Sequence, residues 1–396
     1  MFGLSRLLVG GAMALMLASC SGGGFDFGTF GGPGTPPDNS INLPLAAGQT
    51  YGNGPVRVAL LLPLTGDPAL TQVGISMSNG AQLAMDYIAA TESIADNITL
   101  VIKDTGASVQ GASAAASQAV AEGASLILGP LKADQVSAAG AAARAGGVPL
   151  IGFSNNSGAA APGVYLLNVL PESEVKRSLG YVKKLGKKAF AGIFSTKDYG
   201  RIQQGAFTQA ASELGLEIRA VYNFSSEDEA RGIVQQLAPL LQAGQIDSVF
   251  IPDRATAPSF AALFEEAGIP QGQVQFIGSA DWGGDQNILN SPYLAGAVFP
   301  ALDDQGYNAL LPLYQAKFGG TMHALTTIAY TATILANTSA LALGTPKYDR
   351  ALLTVPGGFK GRDGVFRFLS DGRSEYALVI RQVTIGGSAV AEGARL

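Results

Sequence analysis

From Val56 onward the chain alternates short apolar runs with longer stretches in which apolar residues return every three or four positions. The pattern is clearest between residues 125 and 156. Ser125–Leu128 is an apolar run stopped by Gly129-Pro130, which cannot extend a central ladder. Ala133–Ala145 carries Val136, Ala139 and Ala143 at helical spacing and ends at Gly146-Gly147. Val148–Ile151 reads as a second buried strand, and Gly152–Asn156 as a polar loop at its end. A strand–helix–strand unit of this length makes a right-handed parallel crossover. The loops Leu131-Lys132 and Ser154–Asn156 then lie at the carboxyl ends of neighbouring strands, the edge where open α/β sheets bind ligands.

The same grammar precedes this unit and follows it. Val56–Pro63 and Ile98–Lys103 predict strands; a helix between them has Met77, Ala81, Ala84 and Ile88 on one face, and Gln110–Glu122 predicts the next helix. After Asn168 the pattern restarts. Helices are expected over Ser173–Leu185, Ile202–Leu214, Asp228–Ala243 and Ser259–Ala267, with strands over Ala189–Phe194, Glu217–Tyr222, Ser248–Ile251 and Val274–Ile277. Two successive sets of βα units imply two α/β lobes with parallel sheets and a cleft between them. In the last third a strand is expected at Gly296–Pro300, a helix at Gly306–Phe318 and one long helix at Leu325–Leu343. Gly364–Leu369 and Tyr376–Val383 read as a hairpin around Ser370–Arg373.

Composition narrows the function. Hydrophobic residues make up 47% of the 396 and charged ones 14%, enough apolar material for sizeable cores. The net charge of −5 and the lack of a long basic stripe argue against nucleic acid as a partner. One His and one Cys exclude a disulfide framework, a Cys-rich zinc site and most His-centred metal sites. No cofactor motif is found: a Walker A loop is absent, and the early βα turns lack G-x-G-x-x-G. A Ser–His–Asp triad would have to use His323, and Gly152-Phe153-Ser154-Asn155-Asn156 lacks the closing Gly of a nucleophile elbow. The chain therefore reads as a non-enzyme.

The first twenty residues have the shape of a secretory signal: Arg6, the apolar run Leu7–Leu17, then Leu17-Ala18-Ser19-Cys20. Those last four resemble the bacterial lipobox, which implies lipidation of Cys20 and a membrane anchor. By the enteric sorting rule, Ser21 after the Cys favours the outer membrane over the inner. Residues 21–54, rich in Gly, Pro, Ser, Asn and Thr, are expected to be a flexible tether.

VALLLPLTGD (58–67), NGAQLAMDYI (79–88), DTGAS (104–108), the stretch 127–154, DYG (198–200) and FKGRDGVFRFLSDG (359–372) together resemble the type I periplasmic solute-binding proteins. The Leu/Ile/Val-binding branch is the nearest in pattern. The resemblance implies two Rossmann-like lobes joined by three crossovers, with a ligand trapped between them by hinge closure. It implies lobe 1 over 55–168 and 280–345 and lobe 2 over 169–279 and 346–396. The partners it implies are a small polar ligand, such as an amino acid or amide, and an ABC permease. The same motifs resemble lipoprotein activators of penicillin-binding proteins, whose partner is a peptidoglycan synthase reached by protein contact.

Each candidate ligand residue has a structural reading beside its functional one. Lys132 offers a cation next to a helix amino terminus, though a solvated first-turn lysine would look the same. It stands where the family places hydroxyl groups. Ser154, Asn155 and Asn156 can donate to a carboxylate, and they are also turn formers. Tyr199 matches a common cleft-lining Tyr of the family. By the same resemblance Asp253 or Asp281 takes an amino group, although Asp253 with Arg254 can equally form a local ion pair. Trp282 is expected at a lobe crossover, as an aromatic wall or as core. Ser226 and Glu229 make a capping box, and Lys183, Lys184, Lys187 and Lys188 cluster at a helix end.

Overall fold

The computed structural model describes residues 48–396. The signal segment, Cys20 and most of the tether lie outside the described residues. The first run of elements is β1 (Thr50–Tyr51), β2 (Val56–Leu62), α1 (Pro68–Ala90), β3 (Ile98–Asp104), α2 (Val109–Ala121), β4 (Leu126–Leu128), α3 (Ala133–Ala145), β5 (Leu150–Gly152) and β6 (Val164–Leu166). These strands form one sheet in the order β1-β3-β2-β4-β5-β6, parallel except for β1. The pairing of Thr50 and Tyr51 with Val101 and Leu100 shortens the expected tether, since the chain is strand-paired six residues before Val56.

The second run is α4 (Pro171–Lys184), β7 (Ala189–Ser195), α5 (Asp198–Leu214), β8 (Glu217–Phe224), α6 (Glu227–Gln242), β9 (Ser248–Phe250), α7 (Ala257–Glu266), β10 (Gln275–Ile277), α8 (Gln286–Leu289) and β11 (Val298–Ala301). Then come α9 (Gln305–Phe318), α10 (Thr326–Ala336), α11 (Ser339–Ala342), α12 (Arg350–Leu353), β12 (Phe359–Gly361), β13 (Gly364–Phe368), β14 (Ser374–Tyr376), β15 (Leu378–Thr384) and β16 (Gly387–Arg395). The second sheet runs β16-β15-β11-β10-β9-β7-β8, and β12-β13-β14 form a small third sheet.

Both large sheets have a point where the strand order reverses. The chain starts in β2 and goes to β3 on one side, then β4 on the other; in the second lobe β7 is followed by β8 on one side and β9 on the other. The loops after β2 and β4, and after β7 and β9, flank these reversals, where ligands bind in open α/β folds. Alternating strand residues feed separate cores. Val58, Leu60 and Leu62 face α1 and α10, while Ala59 and Leu61 face the Ala-rich helices α2 and α3. In the second lobe Phe194, Phe207 and Phe250 pack on the α4–α5 side with ring centroids 5.5 to 5.9 Å apart, Phe207 stacked on Phe250 and Phe194 edge-on or tilted to both. Phe276, Phe299 and Trp282 fill the other side.

The lobe boundaries differ from those expected. β11 belongs to the second sheet, so the chain returns to the first lobe after Ala301, not at 280. Residues 346–376 do not join the second lobe: Tyr348, Leu353, Phe366 and Tyr376 lie in the first lobe's core, and the second sheet is rejoined only by β15 and β16. The stretch Tyr376–Val383 is therefore two strands. Ala377 donates its N–H to Val365 O, which ends the pairing with β13, and Leu378 opens β15 in the other sheet. The hairpin partner of β13 is β14. The long helix expected at 325–343 breaks at Asn337. Its side chain accepts the Asn97 N–H (2.9 Å) and donates to Ala95 O (2.8 Å), while its carbonyl takes the Asn97 side chain (2.8 Å). A carbonyl spent on another segment cannot continue the helical ladder.

Asp363, in the turn between β12 and β13, is 6% exposed, and its Oδ2 has no partner among the described residues. Burial pushes its carboxyl up to about 6, against the lowering effect of a hydrogen bond from Thr327. Below about pH 4 the folded and unfolded forms are both protonated and the site costs nothing. As pH rises from about 4 to about 6 the unfolded form ionises first and stability falls. Above that range the penalty levels at up to about 3 kcal/mol. Asp363→Asn is expected to raise unfolding free energy by up to that amount at pH 7 and by little at pH 3.5, as read by urea unfolding at the two pH values.

Candidate functional site

The rim of the first lobe is made by loops that tie themselves together. Asp104, at the end of β3, accepts the N–H groups of Leu64 (2.8 Å), Thr65 (3.2 Å) and Gly106 (2.9 Å) and the Thr65 hydroxyl (2.5 Å). Burial alone would raise its carboxyl, but these donors outweigh it and hold the group below its usual range. After β4, Gly129 has φ +78, and a Cβ there would sit 2.2 Å from Leu61 O, so only glycine brings this loop so close to β2. Phe153 N–H donates to Pro130 O (2.9 Å), which joins the loops after β4 and β5.

Those two loops carry the predicted first-lobe residues. Lys132 stands at the N-cap of α3 with no side-chain capping bond, and it is partly exposed. The Ser154 hydroxyl is buried and accepts the Asn156 N–H (3.1 Å); the Asn156 side chain accepts the Gly158 N–H (2.9 Å). Asn155 is exposed. Two of the three polar residues in this loop are thus bound into their own turn.

The second lobe's rim holds a denser cluster. Tyr199, in the first turn of α5, directs its hydroxyl to Ser279 Oγ (2.9 Å) and receives the Gln203 amide (3.2 Å). Ser279, just past β10, donates in turn to Pro252 O (2.7 Å), just past β9. Hydrogen bonds also link Tyr199 to Asp281 and Gln203 to Glu174, and the Ala280 N–H points at Glu174 Oε2 (3.4 Å). Glu174 comes from the first turn of α4, directly after the first crossover. Tyr199, Asp281 and Glu174 are each partly exposed, whereas Gln203 and Ser195 are buried, with Gln203 Oε1 and Ser195 Oγ lacking partners among the described residues.

The electrostatics follow from this crowding. Burial, with help from Asp281 and Glu172, pushes the Glu174 carboxyl up to about 8, while the Ala280 N–H and Gln203 oppose the rise. Burial also raises Asp281; Asp253 adds to the effect, and Tyr199 and Arg254 work against it. The Tyr199 hydroxyl is held well above its ordinary value by burial and then by the two carboxyls. Acceptors dominate: two carboxyls and the Gln203 Oε1, which has no partner among the described residues, stand together with few donors. Such a site suits a positively charged group with several N–H bonds.

Of the residues singled out in sequence, the structure brings Tyr199 and Asp281 together, with Asp253 and Arg254 close enough to act on Asp281. Trp282 takes the core reading of its two and not the aromatic wall. It is fully buried in the second lobe's core, with its ring against Gly278, where a Cβ would lie 2.1 Å from Cδ2. A side chain with no exposed surface cannot wall a ligand, and its place is past β10 instead of at a crossover. Asp253 Oδ1 accepts the Ala255 N–H (2.9 Å) and shapes its own turn. His323 Nδ1 accepts the Leu325 N–H (3.1 Å), a packing role. Glu174, Ser195, Gln203 and Ser279 were not legible as site residues. Glu174 reads as an ordinary acidic residue in a helix's first turn, and nothing local announces that it meets Asp281.

A cavity of about 60 Å³ lies at the first crossover, lined by Leu170, Glu172, Ser173, Lys176, Glu213 and Arg373 among others. It has room for a water or two but not for an amino acid, and it does not include the Tyr199 cluster. Among the described residues no group of three or more His, Cys, Asp or Glu side chains is placed to hold a metal ion. No described helix is long and apolar enough to cross a membrane.

The family model described as "Periplasmic binding protein" matches residues 55–384. A search among curated proteins found no match. Several solved structures share the fold. A putative branched-chain amino acid ABC transporter protein from Rhodospirillum rubrum superposes with a TM-score of 0.71 at 18% identity, covering 85% of this chain and 99% of its own. An ABC transporter substrate-binding protein from Desulfitobacterium hafniense, in complex with Leu, gives 0.60 at 16% identity over 85% and 99%. A solute-binding protein of an ABC transporter from Rhodopseudomonas palustris BisB5, in complex with 3,4-dihydroxybenzoic acid, gives 0.55 at 19% identity over 86% and 97%.

Proposed function

The chain belongs to the periplasmic binding protein family, and from that membership we propose that it binds a small amine-bearing ligand, an amino acid or amide, and delivers it to an ABC permease without catalysing a reaction. Membership implies a periplasmic location; anchoring through a lipidated Cys20, with the outer membrane favoured, is part of the proposal. The observation that carries the ligand class is the acceptor-rich rim of Glu174, Tyr199 and Asp281. Relatives of this fold hold Leu in one case and an aromatic acid in another. A carboxylate at Asp281 repels a benzoate-type anion and attracts an ammonium group. Lys132 and the Asn155 amide, on the opposite lobe, are the groups offered to the ligand's carboxylate.

Isothermal titration and thermal-shift assays with the twenty amino acids, their amides and benzoate test this. A binder at a hundredfold excess over its Kd adds about 2.7 kcal/mol to unfolding free energy. Asp281→Ala is expected to weaken amino-acid binding at least tenfold with little loss of stability. Tighter binding of benzoate than of any amine would sink the proposed ligand class. A second reading, activation of a penicillin-binding protein by contact, is favoured by one observation: Ser154 and Asn156 spend their polar groups on their own loop. A panel with no saturable binder, together with capture of a peptidoglycan synthase from membranes, would move the assignment there.

A further inference from the structure

We infer that Glu174 is the second carboxyl of the amine subsite, and that it gives its proton to solvent as the ligand's cationic head binds, so that affinity falls as the surroundings acidify. This rests on the amine-binding reading above and adds to it a specificity residue and a proton count. The geometry is specific. Glu174 Oε2 faces the Ala280 N–H at 3.4 Å, and Ala280 is the residue before Asp281. Gln203, 1% exposed, spends its amide N–H groups on Tyr199 and Glu174 and keeps an unpartnered Oε1 in the same cluster. A buried acceptor without a donor costs free energy until something donates to it, and an ammonium group supplies three N–H bonds.

The charged groups around Glu174 decide its protonation. Asp281 faces it from the loop past β10, and Tyr199 from α5. Glu172 lies on its own helix. Asp253 and Arg254 act on Asp281 beside it. The charged groups that act most strongly on Glu174, Asp281 and Glu172, are both acidic, and together with burial they favour the neutral acid near neutral pH. A bound ammonium supplies a positive charge beside it; the O–H bond of Glu174 then breaks, its proton goes to buffer, and the carboxylate pairs with the ligand.

L-leucine and L-lysine serve as probes on the full-length chain. Titration calorimetry in buffers of different ionisation enthalpy is expected to show close to one proton released per amine bound at pH 6.5, falling toward zero at pH 9. Affinity should drop about tenfold per pH unit below about pH 8. In Glu174→Gln the proton release and the pH slope should both vanish, while weaker binding through Asp281 persists. Carboxyl-carbon NMR of Glu-labelled protein without ligand should show a protonated signal at pH 7 that is missing from Glu174→Gln. Binding without proton release, or an ionised Glu174 signal at pH 7, overturns this inference alone. Failure of both amines to bind at pH 8.5 overturns the underlying reading as well.

Discussion

Trp282→Ala is expected to destabilise the protein by about 3–5 kcal/mol, which ranks it with the most damaging single changes the fold can take. The indole is fully buried beside Phe276, Tyr293 and Phe299, with Ile288 and Leu289 from α8 closing the same core. Truncation removes a large apolar surface and leaves a cavity that the surrounding helix and strands fill only in part. Its Nε1 lacks a partner among the described residues, so no hydrogen bond is lost and the cost is packing. Trp282→Phe should recover more than half of it. Urea unfolding followed by circular dichroism gives the number. Amine affinity measured well below the unfolding midpoint separates core from ligand wall: a loss of affinity without a loss of stability would return Trp282 to the binding site.

Arg177 should produce the second large effect. Its side chain is 6% exposed, and burial lowers its pKa, with Glu392 opposing. Nε donates to Leu378 O at 2.7 Å, Nη2 to Gly393 O at 3.0 Å, and Nη1 pairs with Glu392. The guanidinium thus fastens α4 to β15 and β16 just where the chain makes its third crossover. Arg177→Met strands two carbonyls and part of a carboxylate, a loss of about 3–5 kcal/mol. Glu392 is partly exposed and also pairs with Lys184 and Arg395, so water and those cations reduce its share. Arg177→Lys keeps the charge but cannot reach three acceptors from one ammonium, and most of the loss should remain. A double-mutant cycle with Glu392→Gln gives the ion pair's own part. A total loss under 1 kcal/mol would mean that water replaces the guanidinium.

Both effects fall on residues whose roles the sequence left open, and the reason is the same. Arg177 is one of several charged residues on a helix whose apolar face, Val175, Leu179 and Val182, is plain from spacing. That it turns inward depends on two carbonyls and a carboxylate over two hundred positions away. Trp282 follows an acidic residue in a polar loop, which looks like a ligand site until the loop's depth below Gly278 is known. Ser226, by contrast, was legible because its partner is close in sequence: its hydroxyl accepts the Glu229 N–H, and the returning carboxylate takes the Ser225 N–H and hydroxyl as well as the Ser226 backbone.

The order of strands and helices, the two α/β halves and the polar loops at strand ends were written in the chain itself, because apolar periodicity and Gly or Pro stops act over a few residues. So was the placement of Tyr199 and Asp281 just beyond the strand ends. Packing alone decided which sheet receives β11 and β15, where α10 stops, and that Glu174 stands against Asp281. Those outcomes turn on single hydrogen bonds and on burial between segments far apart in sequence, and no local pattern encodes the distance between two groups until the chain has folded.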